Sequence, residues 1–148
     1  MNSHADYALL ALCLWKEDRS GGNTGMTAVA CVVRNRATRN HTTYYEELTE
    51  PEQFSSLTAK GDPELTVFPK PNDIWWQAAQ LIAGNVVDGN VADITGGATM
   101  YYAPRGLGPT TKTFTPPGGQ LVPFPEDWNA TVLTYTVTIG GQLFFRPN

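Results

Sequence analysis

The chain has 148 residues, of which 41% are hydrophobic and 16% charged, which suits one ordinary globular domain and excludes a disordered or coiled-coil composition. The net charge is −4, with no cluster of lysine or arginine, so a nucleic-acid partner is not expected. The longest apolar run, Leu9 to Trp15, is too short to span a bilayer.

The first predicted helix runs from about His4 to Lys16, started by Ser3 with Asp6. The segment preceding it has no basic start of the signal-peptide type. Leu10, Cys13, Leu14 and Glu17 fall at helical spacing, so the core-facing stripe ends in a carboxylate. Asp18 points about 100° away and is expected to be the more solvated of the two acids. Apolar neighbours and the negative end of the helix would both raise the pKa of Glu17, fitting it to act as a general acid. On pattern alone, a solvated last-turn charge paired with Arg19 or Lys16 is favoured, because charged helix ends are common.

A glycine-rich turn leads to a second helix, about Thr24 to Ala37, and then a short helical turn from Tyr44 to Glu50 ended by Pro51. Residues 51 to 71 read as a long loop. Asn72 is expected to cap a third main helix, Asp73 to about Val87, with Trp75, Ala78, Ala79, Ile82 and Val86 on one face. Gly96 and Gly97 precede an extended segment at Met100-Tyr101-Tyr102, and residues 105 to 127 read as surface loop. Alternation over Leu133, Tyr135, Val137 and Ile139, followed by Gly140-Gly141 and Gln142-Leu143-Phe144-Phe145, predicts a two-residue β-hairpin. The fold class is α+β, helices first and a small antiparallel sheet last, in a single domain over 1–148.

Cys13 and Cys31 lie within apolar helical patterns and read as buried free thiols. His4 and His41 have no ligand spacing, and no phosphate or dinucleotide motif is present, so neither a metal nor another cofactor is expected.

Four landmarks in order then resemble the bacterial cell-wall hydrolase family of the spore-cortex-lytic enzyme type. They are Glu17-Asp18-Arg19, where the family usually has Gly-Glu-Ala-Arg-Gly-Glu; Ala28-Val29-Ala30 with Val32-Val33-Arg34-Asn35-Arg36; Gln53-Phe54-Ser55; and Gly97-Ala98-Thr99-Met100-Tyr101-Tyr102-Ala103-Pro104. The ending Ile139-Gly140-Gly141-Gln142-Leu143-Phe144-Phe145 is also similar. The family's second acid is replaced by Gly21 or Gly22, one histidine by Met100, an asparagine by Ala103 and a late histidine by Gln142. These departures leave the first acid in place and bear on substrate preference.

The resemblance implies a lysozyme-like fold and cleavage of the β-1,4 bond between N-acetylmuramic acid and N-acetylglucosamine, with Glu17 as catalyst and peptidoglycan strands as partner. It reverses the odds on Glu17. The usual two-carboxylate routes need a second carboxyl about 5–5.5 Å or about 6.5–9.5 Å away, and no second acid belongs to a motif here. A lytic transglycosylase needs none. Gln53, Ser55, Thr99, Tyr101 and Tyr102 are the expected substrate contacts, with one of the two tyrosines expected to pack in the core instead. Arg19 is expected to anchor the turn after the helix, and Trp75 or Trp76 to stack on sugar, with at least one of them in the core.

Two other classes compete: a cysteine amidase or peptidase acting on the peptide stems, and a non-catalytic peptidoglycan-binding domain on the same fold. Without a leader, delivery to the wall or periplasm is expected through phage lysis or tail machinery, a secretion system, or a larger exported protein. An injected effector would imply an immunity protein as a further partner. The acidic charge gives no pull toward an anionic wall.

Overall fold

Serine before an apolar helical run supplies an acceptor for otherwise orphaned N–H groups, and the first helix begins on such a cap. The computed structural model describes residues 1–51 and 53–148, with the side chain of Ser55 also outside the description. In α1, His4–Asp18, Ser3 accepts from the Asp6 N–H while the Asp6 carboxylate accepts from Ser3 N at 2.8 Å, the expected capping box. The other Asp6 oxygen accepts from Tyr45 N, tying α1 to the short helix that begins at Tyr44.

The other helices are α2, Gly22–Asn40; α3, Tyr44–Thr49; α4, Ser55–Thr58; and α5, Ile74–Val87. Helix α2 is longer at both ends than its apolar pattern suggests and stops at His41, which adopts the left-handed conformation that terminates helices. Leu10, Cys13 and Leu14 of α1 and Met26, Val29, Val32 and Val33 of α2 are fully buried. Asp73, not Asn72, caps α5, accepting from Trp75 N and Trp76 N. The buried residues of α5 include Ala79, Ala83 and Val86, whereas Trp75 is 38% exposed, so the expected face is rotated. The stretch 51 to 71 is not structureless: it holds α4 and a 3-10 turn, Pro63–Thr66.

The sequence reading treats 1–148 as one domain; within it the chain forms two compact units, Met1–Ile94 and Thr95–Asn148. The second holds β1, Met100–Tyr102; β2, Thr113–Phe114; β3, Val122–Pro123; β4, Leu133–Ile139; and β5, Gln142–Pro147. A three-stranded antiparallel sheet has the order β1-β5-β4, and β2 pairs with β3. The predicted hairpin is present, with Ile139 opposite Gln142 and Gly140 at φ 60° in the turn.

Strand β5 is central, and Leu143, Phe144 and Phe145 are buried in succession. Phe145 packs in a cluster with Tyr102, Phe114, Phe124 and Trp128, while Phe144 stacks on Tyr101 with centroids 5.6 Å apart. Two of those aromatics, Phe114 and Phe124, come from the stretch read as surface loop and pack into the core of this unit. The aromatic edge-to-face contacts supply packing that the short strands alone would not.

Candidate active site

Glu17 lies in the last turn of α1 and is partly buried. Four residues before it, Cys13 is fully buried, and burial pushes its thiol well above the ordinary range; the Glu17 charge pushes it further and the Arg36 guanidinium opposes. The Glu17 carboxylate therefore lies within electrostatic reach of Cys13.

Asp18, expected to be solvated, is, like Glu17, partly buried. Its backbone leaves the helix at φ −150°, and burial raises its pKa, partly opposed by a hydrogen bond from the Gly21 N–H. A Cβ at Gly21 would meet the Asp18 Oδ2 at 2.5 Å, and one at Gly25 would clash with the same oxygen. The carboxylate thus occupies space that only glycine at both positions leaves open, against the positive end of α2.

The flanking cations have structural tasks. Lys16 is buried and donates to three carbonyls, those of Ser56 at 3.4 Å, Glu64 at 2.5 Å and Leu65 at 3.1 Å, with its ammonium over the Phe68 ring. Arg19 stacks on Trp15, donates to the Trp15 carbonyl and pairs with Glu64 at 2.5 Å, anchoring the turn as expected. Together they clamp residues 56–68 onto the end of α1. Trp15 Nε1 in turn donates to the Asp73 cap of α5.

The second and third landmarks meet in the same unit. Arg36 lies over the ring of Phe54, with the guanidinium carbon 5.1 Å from the centroid. Its neighbours Arg34 and Asn35 donate to the Val91 carbonyl and to Asp93. Gln53 is exposed; the side chain of Ser55 lies outside the described residues. In the second unit, Thr99 is buried with its N–H donated to the Phe145 carbonyl, and Tyr101 is partly exposed. Tyr102, 7% exposed, donates its hydroxyl to the Pro123 carbonyl at 2.8 Å and packs in the aromatic cluster. Its expected role as a substrate contact is corrected to that of the core tyrosine.

Neither tryptophan of the Trp75-Trp76 pair is fully buried, contrary to the expected core role for one of them. A side chain at Gly22 would meet the Trp75 ring at 3.8 Å, so this half-open indole borders the turn after Glu17. The sequence missed Lys16 and Glu64 as organisers of this end of α1, because their roles come from contacts across dozens of residues, and Asp18, because its niche depends on side chains that Gly21 and Gly25 lack. The structure disfavours the cysteine reading: Cys13 and Cys31 are buried, which raises both thiols, whereas His4 and His41 are exposed. Among the described residues no helix is long and apolar enough to cross a membrane.

The cell wall hydrolase family model matches residues 20–145, and the chain belongs to that family. The chain is similar in structure to the catalytic domain of the germination-specific lytic transglycosylase SleB from Bacillus anthracis, with 22% identity, coverage of 97% of this chain and 96% of that one, and a TM-score of 0.66. The catalytic domain of the Bacillus cereus SleB protein gives 22% identity, 99% and 93% coverage, and a TM-score of 0.65. At that identity the likeness establishes the shared fold, in agreement with the α+β expectation. No curated protein matches the chain. The family match begins after Glu17, so the assignment of that residue rests on α1 and the Glu17-Asp18-Arg19 motif.

Proposed function

We propose that the chain cleaves the β-1,4 bond between N-acetylmuramic acid and N-acetylglucosamine in peptidoglycan as a lytic transglycosylase, with Glu17 as its one acid and base. The observation that carries this reading is the placement of Glu17: a partly buried carboxylate at the end of α1, close enough to raise the pKa of buried Cys13. Family membership supplies the wall as the site of action. The Bacillus anthracis SleB domain is described as a lytic transglycosylase, which supports the choice among wall-cleaving chemistries.

Neighbouring carboxylates support a single-acid route, because their contacts engage them elsewhere. Asp18 accepts from Gly21 N–H in its glycine-bounded niche, Glu64 pairs with Arg19, and Asp73 caps α5 and holds Trp15. In the first step protonated Glu17 gives its proton to the glycosidic oxygen as the bond to muramic C1 breaks, the electron pair leaving with the N-acetylglucosamine O4. The resulting carboxylate then takes the proton of the muramic C6 hydroxyl as that oxygen bonds to C1, giving a 1,6-anhydro end. No water is consumed.

Gln53 in the first unit offers an amide suited to neutral sugar, and Trp75 an open ring beside the turn after Glu17. In the second unit, Tyr101 is the more open residue of its motif and Thr99 the buried one. Glu17→Gln is expected to reduce release of soluble fragments from purified peptidoglycan by about 10²–10⁴-fold with unchanged melting temperature. Undiminished release would place the acid elsewhere.

A further inference from the structure

Helices α1 and α5 flank a half-open cavity of about 340 Å³ lined by His4, Tyr7, Ala8, Ala11, Trp76 and Gln80. It is distinct from the end of α1 that carries Glu17. Ala11, its lining residue nearest in sequence, is six positions away, which is about 9 Å along the helix and about 120° round it. His4 lies further still, so the cavity extends away from the acid along α1.

Its chemistry is specific. Trp76 contributes an indole, Tyr7 a phenol ring, Gln80 an amide and His4 an imidazole, with Ala8 and Ala11 keeping the floor shallow. The Tyr7 hydroxyl donates to Asp88 at 2.5 Å, which fixes the ring at the margin. Among the described residues no lysine or arginine lines the cavity, and Asp88 stands beside it, in a chain of net charge −4. An anionic ligand would find no lysine or arginine there. Aromatic faces with amide and imidazole heads suit a neutral, polyhydroxylated ring: C–H faces lie on the indole while hydroxyls and an acetamide pair with the polar heads.

We propose that this cavity is an accessory binding site for N-acetylglucosamine units of a glycan strand, separate from the site of cleavage. The proposal rests on the reading above that the protein works on such strands. Through its lactyl group the muramic unit carries a peptide stem bearing carboxylates, and the cavity offers no lysine or arginine among the described residues to meet them. The N-acetylglucosamine unit is therefore the one selected. The site supplies the wall affinity that an acidic chain does not obtain from long-range electrostatics.

The test measures binding to insoluble peptidoglycan and to chitotetraose, a neutral N-acetylglucosamine tetramer, in the Glu17→Gln background. Trp76→Ala and Gln80→Ala are compared with it, and melting temperatures establish folding; Gln80, being exposed, is the variant least tied to packing. Weakening of both ligands by about five- to tenfold in Trp76→Ala, and by less in Gln80→Ala, is expected. On the otherwise wild-type chain, cleavage of short soluble fragments is expected to be unchanged by Gln80→Ala. Unaltered binding in both folded variants overturns the accessory site while leaving the Glu17 reading intact. Retained cleavage by Glu17→Gln overturns the catalytic reading, and failure of the parent protein to bind either ligand overturns both.

Discussion

The Asp18 carboxylate lies where a side chain on Gly25 would begin, with Oδ2 in the space an ideal Cβ at that position would fill. This contact joins the end of α1 to the first turns of α2, beside Glu17. Gly25→Ala should therefore destabilise by about 1–3 kcal/mol through overpacking, despite alanine's better helix propensity. Gly84, in α5, has open space at the same position, and Gly84→Ala should stabilise by up to about 1 kcal/mol. Adding Asp18→Ala to Gly25→Ala should recover part of the loss, a coupling that thermal melts of the double-mutant cycle would measure.

Asp18 also gives a pH signature. Burial raises its folded pKa above the unfolded value, so its ionisation opposes folding. The penalty is absent below the unfolded pKa and is established as pH rises through the folded one. Asp18→Asn, which retains an acceptor for Gly21 N–H, should melt higher than the wild type at neutral pH and lose that advantage in acid.

Lys16 holds the segment after α4 through three carbonyls and the face of Phe68. Lys16→Met keeps much of the stem but leaves buried acceptors unpaired, at a cost of about 1–3 kcal/mol. Hydrogen exchange should show the loss of protection concentrated at residues 56–68, with α2 little affected.

Local chemistry explains what was legible in the sequence. The Ser3–Asp6 box and the Gly140-Gly141 hairpin are written in adjacent residues, and both formed as expected. Glu17 and the alternation of β4 were likewise readable as patterns. The burial of Asp18 was not, because it depends on side chains that Gly21 and Gly25 lack. Phe114 and Phe124 sit among prolines and glycines with no periodicity around them, so their place in the aromatic core emerges only when β2 pairs with β3. Asp73 displaced Asn72 as the cap because one carboxylate reaches Trp75 N, Trp76 N and the Trp15 indole together. Lys16, in a charged run, gave no hint that three distant carbonyls would enclose it.

Glu126 supplies a second pH test, in the other unit. Its carboxylate accepts from the Thr110 hydroxyl at 2.5 Å, from the Thr111 N–H and hydroxyl, and from Lys112 N–H, which brings its pKa from 4.5 to about 2. The resulting stability is present above the unfolded pKa and is lost as pH falls through the folded one. Glu126→Gln should therefore melt below the wild type at neutral pH, and the two curves should converge between about pH 4.5 and about pH 2.

Cleavage of purified peptidoglycan in heavy-oxygen water tests the single-acid route most directly. Mass spectra of the products should show 1,6-anhydro ends one water lighter than reducing ends, with no heavy oxygen at C1. Reducing ends that have gained one heavy oxygen would contradict the account, since they require a water activated by a second group beside Glu17.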